Sequence, residues 1–144
     1  GVLMALGWQA WALLSAAFAA LTAIFAKIGV EGVNSDFATL IRTCVVIIVL
    51  AAIVAATGQF QPLRDISAKT WIFLALSGLG TGASWLCYFR ALKLGDAARV
   101  APVDKLSIVL VAVFGVVFMA EKLSLLHWLA IAMMTAGAVI LAVL

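Results

Sequence analysis

The sequence predicts an all-α fold, a polytopic membrane bundle of five transmembrane helices, and three observations carry that expectation. Hydrophobic residues fill 67% of the 144 positions and charged residues only 10%, whereas soluble domains are near-even in apolar content and about one-quarter charged. Five apolar runs, at about 5–29, 36–57, 70–94, 97–119 and 124–143, each reach the roughly 20 residues that a helix needs to cross the hydrocarbon core. The connections between them are short and leave no room for a separate soluble domain, so residues 1–144 read as one membrane domain.

The same composition excludes several classes of function. The formal charge is +3, but the basic residues stand singly and form no patch or stripe, which argues against nucleic acid. Cys44 and Cys87 each sit in an apolar run, and no ligand-spaced Cys/His cluster or disulfide framework accompanies them. No GxxxxGK[ST] loop, Gly-rich nucleotide fingerprint or paired nucleophile and base occurs. The chain is therefore read as neither an ATPase nor an enzyme, with no cofactor and no metal.

Gly1-Val-Leu-Met-Ala-Leu-Gly has no Lys or Arg to form the positive region of a signal peptide, so the first run is taken as a span. Trp8, Trp11, Ser15, Phe18, Thr22, Phe25 and Gly29 recur at spacings of three and four along one seam. Small and hydroxylic residues in such a seam serve close helix packing or the wall of a cavity. Asn34-Ser35-Asp36 supplies N-cap chemistry for the second span. Arg42 lies roughly 9 Å inside that span at 1.5 Å per residue, a depth from which it either snorkels to the interface or pairs inward. The connection Gly58 to Lys69 is polar, contains Pro62 and a cap at Ser67 or Lys69-Thr70, and has room for a short interfacial helix.

The third span sets Ser77, Thr81, Ser84 and Tyr88 on one face, with Gly78, Gly80 and Gly82 beside them and Trp85 within the stripe. This stripe reads as a packing face or as a passage, and it leads toward Arg90. Gly95-Asp96 is expected to end one helix and cap the next, in a tight antiparallel hairpin. Pro102 lacks an N–H: a fourth span starting at Ala97 is kinked there, whereas one starting at Ala101 carries it as a first-turn residue. Asp104 and Lys105 follow at once, and ionisable groups within a span cost about 2.5–3.5 kcal/mol each, which marks them as functional unless paired. Asp104 is accordingly expected to interact, directly or through water, with at least one of Arg90, Arg42 and Lys105. In the fifth span His127, beside Trp128, reads as an interfacial residue.

The run Tyr88-Phe-Arg-Ala-Leu-Lys-Leu-Gly-Asp-Ala-Ala-Arg-Val-Ala-Pro102, the tetrad Glu121-Lys-Leu-Ser124 and the closing Ala136-Gly-Ala-Val-Ile-Leu141 together carry a family likeness. From about Trp8 onward the chain resembles the EamA domain of the drug/metabolite transporter superfamily. One departure is Ala120, where the family usually has glycine before the glutamate. The resemblance implies a five-helix unit, carried twice and in inverted orientation by most members, and this single copy resembles the bacterial and archaeal single-repeat group of the plasma membrane. The superfamily's small multidrug resistance proteins rely on a glutamate in their first helix. The first span here has no acid, so their proton-coupled cation antiport does not carry over.

The function expected is secondary transport of a small metabolite across the lipid bilayer by alternating access. Arg42, Ser77, Thr81, Ser84, Trp85, Tyr88, Arg90, Pro102, Asp104 and Lys105 are the candidate substrate-binding or translocation residues. Basic groups outnumber acidic ones in that set, which favours an anionic or zwitterionic substrate. Two other readings stand beside it, a non-transporting scaffold or accessory subunit and a flippase for lipid-linked head groups. Five spans put the termini on opposite sides, and one copy lacks its inverted partner, so a homodimer is expected, antiparallel if two copies restore the inverted pair. Lys27, Lys93 and Arg99 near the span ends on one side balance Arg64, Lys69 and Lys122 on the other, as dual insertion requires. Counting Arg42, Arg90 and Lys105 as well tilts the balance toward a single orientation.

Overall fold

The computed structural model describes residues 7–144, and the positions 5 and 6 expected to open the first span lie outside them. Five helical spans run as expected, each long and apolar enough to cross a membrane. The chain is a multi-pass membrane protein. The helices are α1 (Trp8–Val30), α2 (Ser35–Ala56), α3 (Ala68–Leu94), α4 (Ala97–Asp104), α5 (Ser107–Phe118) and α6 (Leu125–Val143), with one 3₁₀ turn at Leu63–Asp65 before α3. That turn is all the structure the polar connection holds. Large apolar side chains stand bare along every span, among them Leu94, Phe118 and Leu125. Lipid or a partner must cover such surface, while the helical backbone satisfies its own polar groups.

The chain divides into two compact units. One comprises Phe25–Leu94, and the other comprises Gly95–Leu144 with the stretch that ends at Ile24.

In the Phe25–Leu94 unit, α2 packs on α3, and the core gathers where α1 ends, α2 begins and α3 ends. Val30, Thr39, Phe89 and Leu92 are buried there, Leu92 completely, at 0% exposure. The Asn34 side chain accepts from the N–H groups of Asp36 and Phe37 and so starts α2, as the sequence leads one to expect. At the other end of α2, the Gln59 N–H reaches the Val54 carbonyl and the Gly58 N–H that of Ala55, with Gly58 at φ +66°. This is the left-handed close of a Schellman turn, a backbone position glycine takes without penalty. Ser67 starts α3, accepting from the Thr70 N–H.

In the other unit, α6 packs against both α4 and α5. The helix containing Pro102 starts at Ala97, which settles the choice between the two possible starts. Asp96 occupies the N-cap position, but its backbone carbonyl and not its side chain takes the N–H groups of Arg99 and Val100, a correction to the capping expected of it. The span then breaks. The Leu106 N–H bonds the Val103 carbonyl, Ile108 bonds Lys105 and Val109 bonds Leu106, so one turn tightens to 3₁₀ between α4 and α5. His127 closes a capping box with Ser124, its Nδ1 accepting from the Ser124 N–H at 3.0 Å.

The turn between α5 and α6 explains the departure noted at Ala120. Ala120 sits at φ +55°, the left-handed region where glycine is at home. Next to it the Glu121 N–H bonds the Gly115 carbonyl, and the Glu121 carboxylate fills the space a Cβ on Gly115 would need. Left-handed geometry costs an L-residue about 1–2 kcal/mol, part of which glycine returns as extra chain entropy. Ala120→Gly is therefore expected to stabilise the protein by about 1 kcal/mol. Thermal unfolding in detergent checks this, and an unchanged or lower midpoint speaks against the strain.

Candidate functional site

Four cations of the Phe25–Leu94 unit, Lys27, Arg42, Arg90 and Lys93, lie toward its packed end, and three of them have acceptors. Lys27 on α1 donates to the Leu92 carbonyl of α3 at 2.7 Å. Lys93 on α3 donates back to the Val30 carbonyl of α1 at 3.0 Å and to that of Val33. Each lysine thus satisfies carbonyls that the other's helix end leaves without an intrahelical donor. Arg90 pairs with Asp36 in the fork-to-fork manner, Nε to Oδ1 at 2.8 Å and Nη2 to Oδ2 at 2.5 Å. Such a bidentate pair fixes orientation as well as charge.

Arg42 is the exception. Its guanidinium carbon lies 3.9 Å from the centre of the Trp85 ring and 5.5 Å from that of Phe89. Its Nη1 is sealed from solvent without a hydrogen-bond partner among the described residues. Arg42 thus meets the α3 rings, and no acid among the described residues forms an ion pair with it. Tyr88 stands next to this cage, its ring 6.4 Å from that of Phe89. The hydroxyls of Thr39 and Thr43, one helical turn apart on α2, donate to the carbonyls of Ser35 and Thr39.

The α3 stripe is present on a continuous helix. Thr81 turns its hydroxyl proton back onto the Ser77 carbonyl at 2.9 Å, while Ser77 and Ser84 are exposed. Of the candidate residues, the structure brings Arg42 and Trp85 together, with Tyr88 alongside, and ties Arg90 to Asp36. In the other unit, Pro102, Asp104 and Lys105 share the break between α4 and α5, where Asp104 and Lys105 are exposed. Among the described residues the ion pair is that of Arg90 with Asp36, and Asp104 takes part in none. Arg90, one of the basic partners expected of Asp104, pairs with Asp36 within its own unit. Arg99 in α4 meanwhile donates from Nε to the Leu141 carbonyl near the end of α6.

With this geometry in view, comparison with known proteins decides the family. The model of the EamA-like transporter family matches residues 6–143. The chain belongs to the EamA-like transporter family. It is 71% identical over 140 residues to an "uncharacterized transporter in cobO 3'region" of a Sinorhizobium species, across 97% of this chain and 99% of that protein. No solved structure matches. The chain is thus a transporter of the drug/metabolite type, and its EamA relative is of matching length, without a second repeat's worth of sequence.

Asp36, Phe89 and the two lysines are parts of this arrangement that the sequence did not single out. Asp36 read as part of a cap, and a partner 54 residues away leaves no local trace. The lysines did carry a signal, since each lies in the last turn of a helix, where cations meet free carbonyls. The Asp36–Arg90 pair is expected to behave as a unit. Asp36→Asn and Arg90→Gln should each lower the unfolding midpoint in detergent, and the double variant should lose less than the sum of the two. Strict additivity is the result that denies the pair any energetic role.

Proposed function

We propose that this EamA protein is a secondary transporter that moves a small anionic or zwitterionic metabolite across the plasma membrane by alternating access, working as a homodimer of oppositely inserted five-helix copies. The observation that carries this reading is the broken fourth span. The break falls about 12 Å along a segment of about 33 Å, at the rise of an ideal helix, and it places Asp104 and Lys105 beside backbone that has left regular α geometry. Irregular backbone at membrane depth is tolerated where it is covered by protein or lines a watery cavity, and interrupted helices of this kind carry the sites of many secondary transporters. A 3₁₀ turn inside a helix also makes a natural hinge.

The relative from Sinorhizobium supports the single-repeat assembly, because this chain spans 99% of its length. A lone repeat recovers inverted symmetry by pairing with a second copy inserted the other way. The Ser77, Thr81, Ser84 and Tyr88 stripe of α3 supplies polar groups for a passage.

Flux into proteoliposomes from a panel of metabolites tests the reading, and a scaffold gives none. Competition by amphiphiles but not by soluble metabolites transfers the function to lipid-linked head groups. Pro102→Ala restores the missing N–H and should raise stability by about 1–3 kcal/mol while lowering flux, because the hinge stiffens. Undiminished flux from the straightened span argues against the hinge. Assembly has its own test, a cysteine placed after Leu144 in a Cys44→Ser, Cys87→Ser background and probed in intact cells with an impermeant thiol reagent. Dual insertion predicts labelling of roughly half the molecules, as oppositely inserted copies require, whereas all-or-none labelling rejects it.

A further inference from the structure

Toward the packed end of the Phe25–Leu94 unit, the positive charge of Lys27, Arg42, Arg90 and Lys93 can be matched to its acceptors group by group. Lys27 and Lys93 are spent on helix-end carbonyls, and Arg90 is spent on Asp36. Arg42 alone of these four has no acceptor among the described residues, and its Nη1 is sealed from solvent without one. The guanidinium carbon over Trp85 at 3.9 Å has some of its charge compensated by the ring, but a ring face is no substitute for the acceptors that the guanidinium N–H groups take. An arginine that meets a ring and has no acceptor for its donors has the form of a half-built anion site.

We infer that Arg42 binds the carboxylate of a small monoanionic substrate with an apolar or aromatic body, which lies against Trp85 and Tyr88. The inference rests on the transport reading and narrows its substrate. Three features select this class. Carboxylate geometry matches the arginine edge in the two-point fashion that Arg90 already shows with Asp36. One unspent charge balances one negative charge, so a phosphate monoester, which brings nearly two, lacks its second cation here. A zwitterion lacks its acid, because Asp36 is engaged by Arg90. The nearby Thr39 and Thr43 hydroxyls give their protons to their own helix and add no second donor. The ring walls then suit an apolar body rather than a polyol.

The test uses the purified full chain in detergent and reads the thermal unfolding midpoint against ligand concentration, because a ligand of the folded state raises it. The probes are 3-phenylpropionate, its uncharged amide, phenylalanine and phenyl phosphate, at matched ionic strength. The expected result is a dose-dependent rise with 3-phenylpropionate, none with the amide, and at least tenfold weaker responses to phenylalanine and phenyl phosphate. Arg42→Gln should abolish the response. Arg42→Lys, which keeps the charge and loses the fork, should weaken it about tenfold. Equal stabilisation by acid and amide in the unsubstituted protein overturns the inference without relying on any variant, as does an unchanged response in Arg42→Gln. Carboxylate stabilisation without flux of any solute leaves this site standing and removes the transport reading. Flux of neutral or cationic solutes that Arg42→Gln leaves unchanged does the reverse.

Discussion

A helix that ends inside or beside lipid leaves carbonyls with no water to turn to, and the two lysines at the packed end of the Phe25–Leu94 unit answer that constraint. Their side chains serve here as hydrogen-bond donors to backbone. Lys27 and Lys93 close the ends of each other's helices, and in the other unit Arg99 does the same for α6 through Leu141. A cation at the negative end of a helix is favourable for the dipole as well as for the orphaned oxygens, so one side chain meets two needs. What reads in a hydropathy profile as an interruption in an apolar run is, in three dimensions, the fastening of the run's end.

The charges then divide by how they are used. Those fixed to carbonyls and the Arg90–Asp36 pair are neutralised inside their unit and hold α1, α2 and α3 at one end. Arg42, over the Trp85 ring, and the Asp104-Lys105 step at the broken span have no such partner among the described residues. Structural charge and available charge thus alternate along the chain and look alike in sequence.

Much of the fold was legible for a physical reason. Spans are announced by length and composition because lipid accepts little else, and the caps at Asn34 and Ser67 are announced by residue types whose side chains reach a neighbouring N–H. Pro102 marked the weak point of the fourth span, but the break itself came two to four residues later, where only the backbone hydrogen bonds reveal it. The candidate site was legible as a set of residues and not as a set of pairs. Arg90 stood out as a charge in lipid, yet Asp104 looked the nearer partner, and Asp36 was hidden by its plausible role at a helix start. Phe89 was one aromatic among eight phenylalanines, and it takes the fold of α2 against α3 to show which ring Arg42 meets. Ala120 is the opposite case, since the glycine expected at that point corresponds to a left-handed backbone that the alanine adopts.

Reciprocity gives the lysine pair a property that neither bond has alone. Parting the ends of α1 and α3 strands the carbonyls of Val30, Val33 and Leu92 together with both ammonium groups, and no half-open arrangement satisfies some of them cheaply. Such an end does not fray gradually from its tip as a free helix does. It behaves as a latch with two states, shut or fully released, so hydrogen exchange at the amides around it should proceed as one cooperative block with a common opening constant.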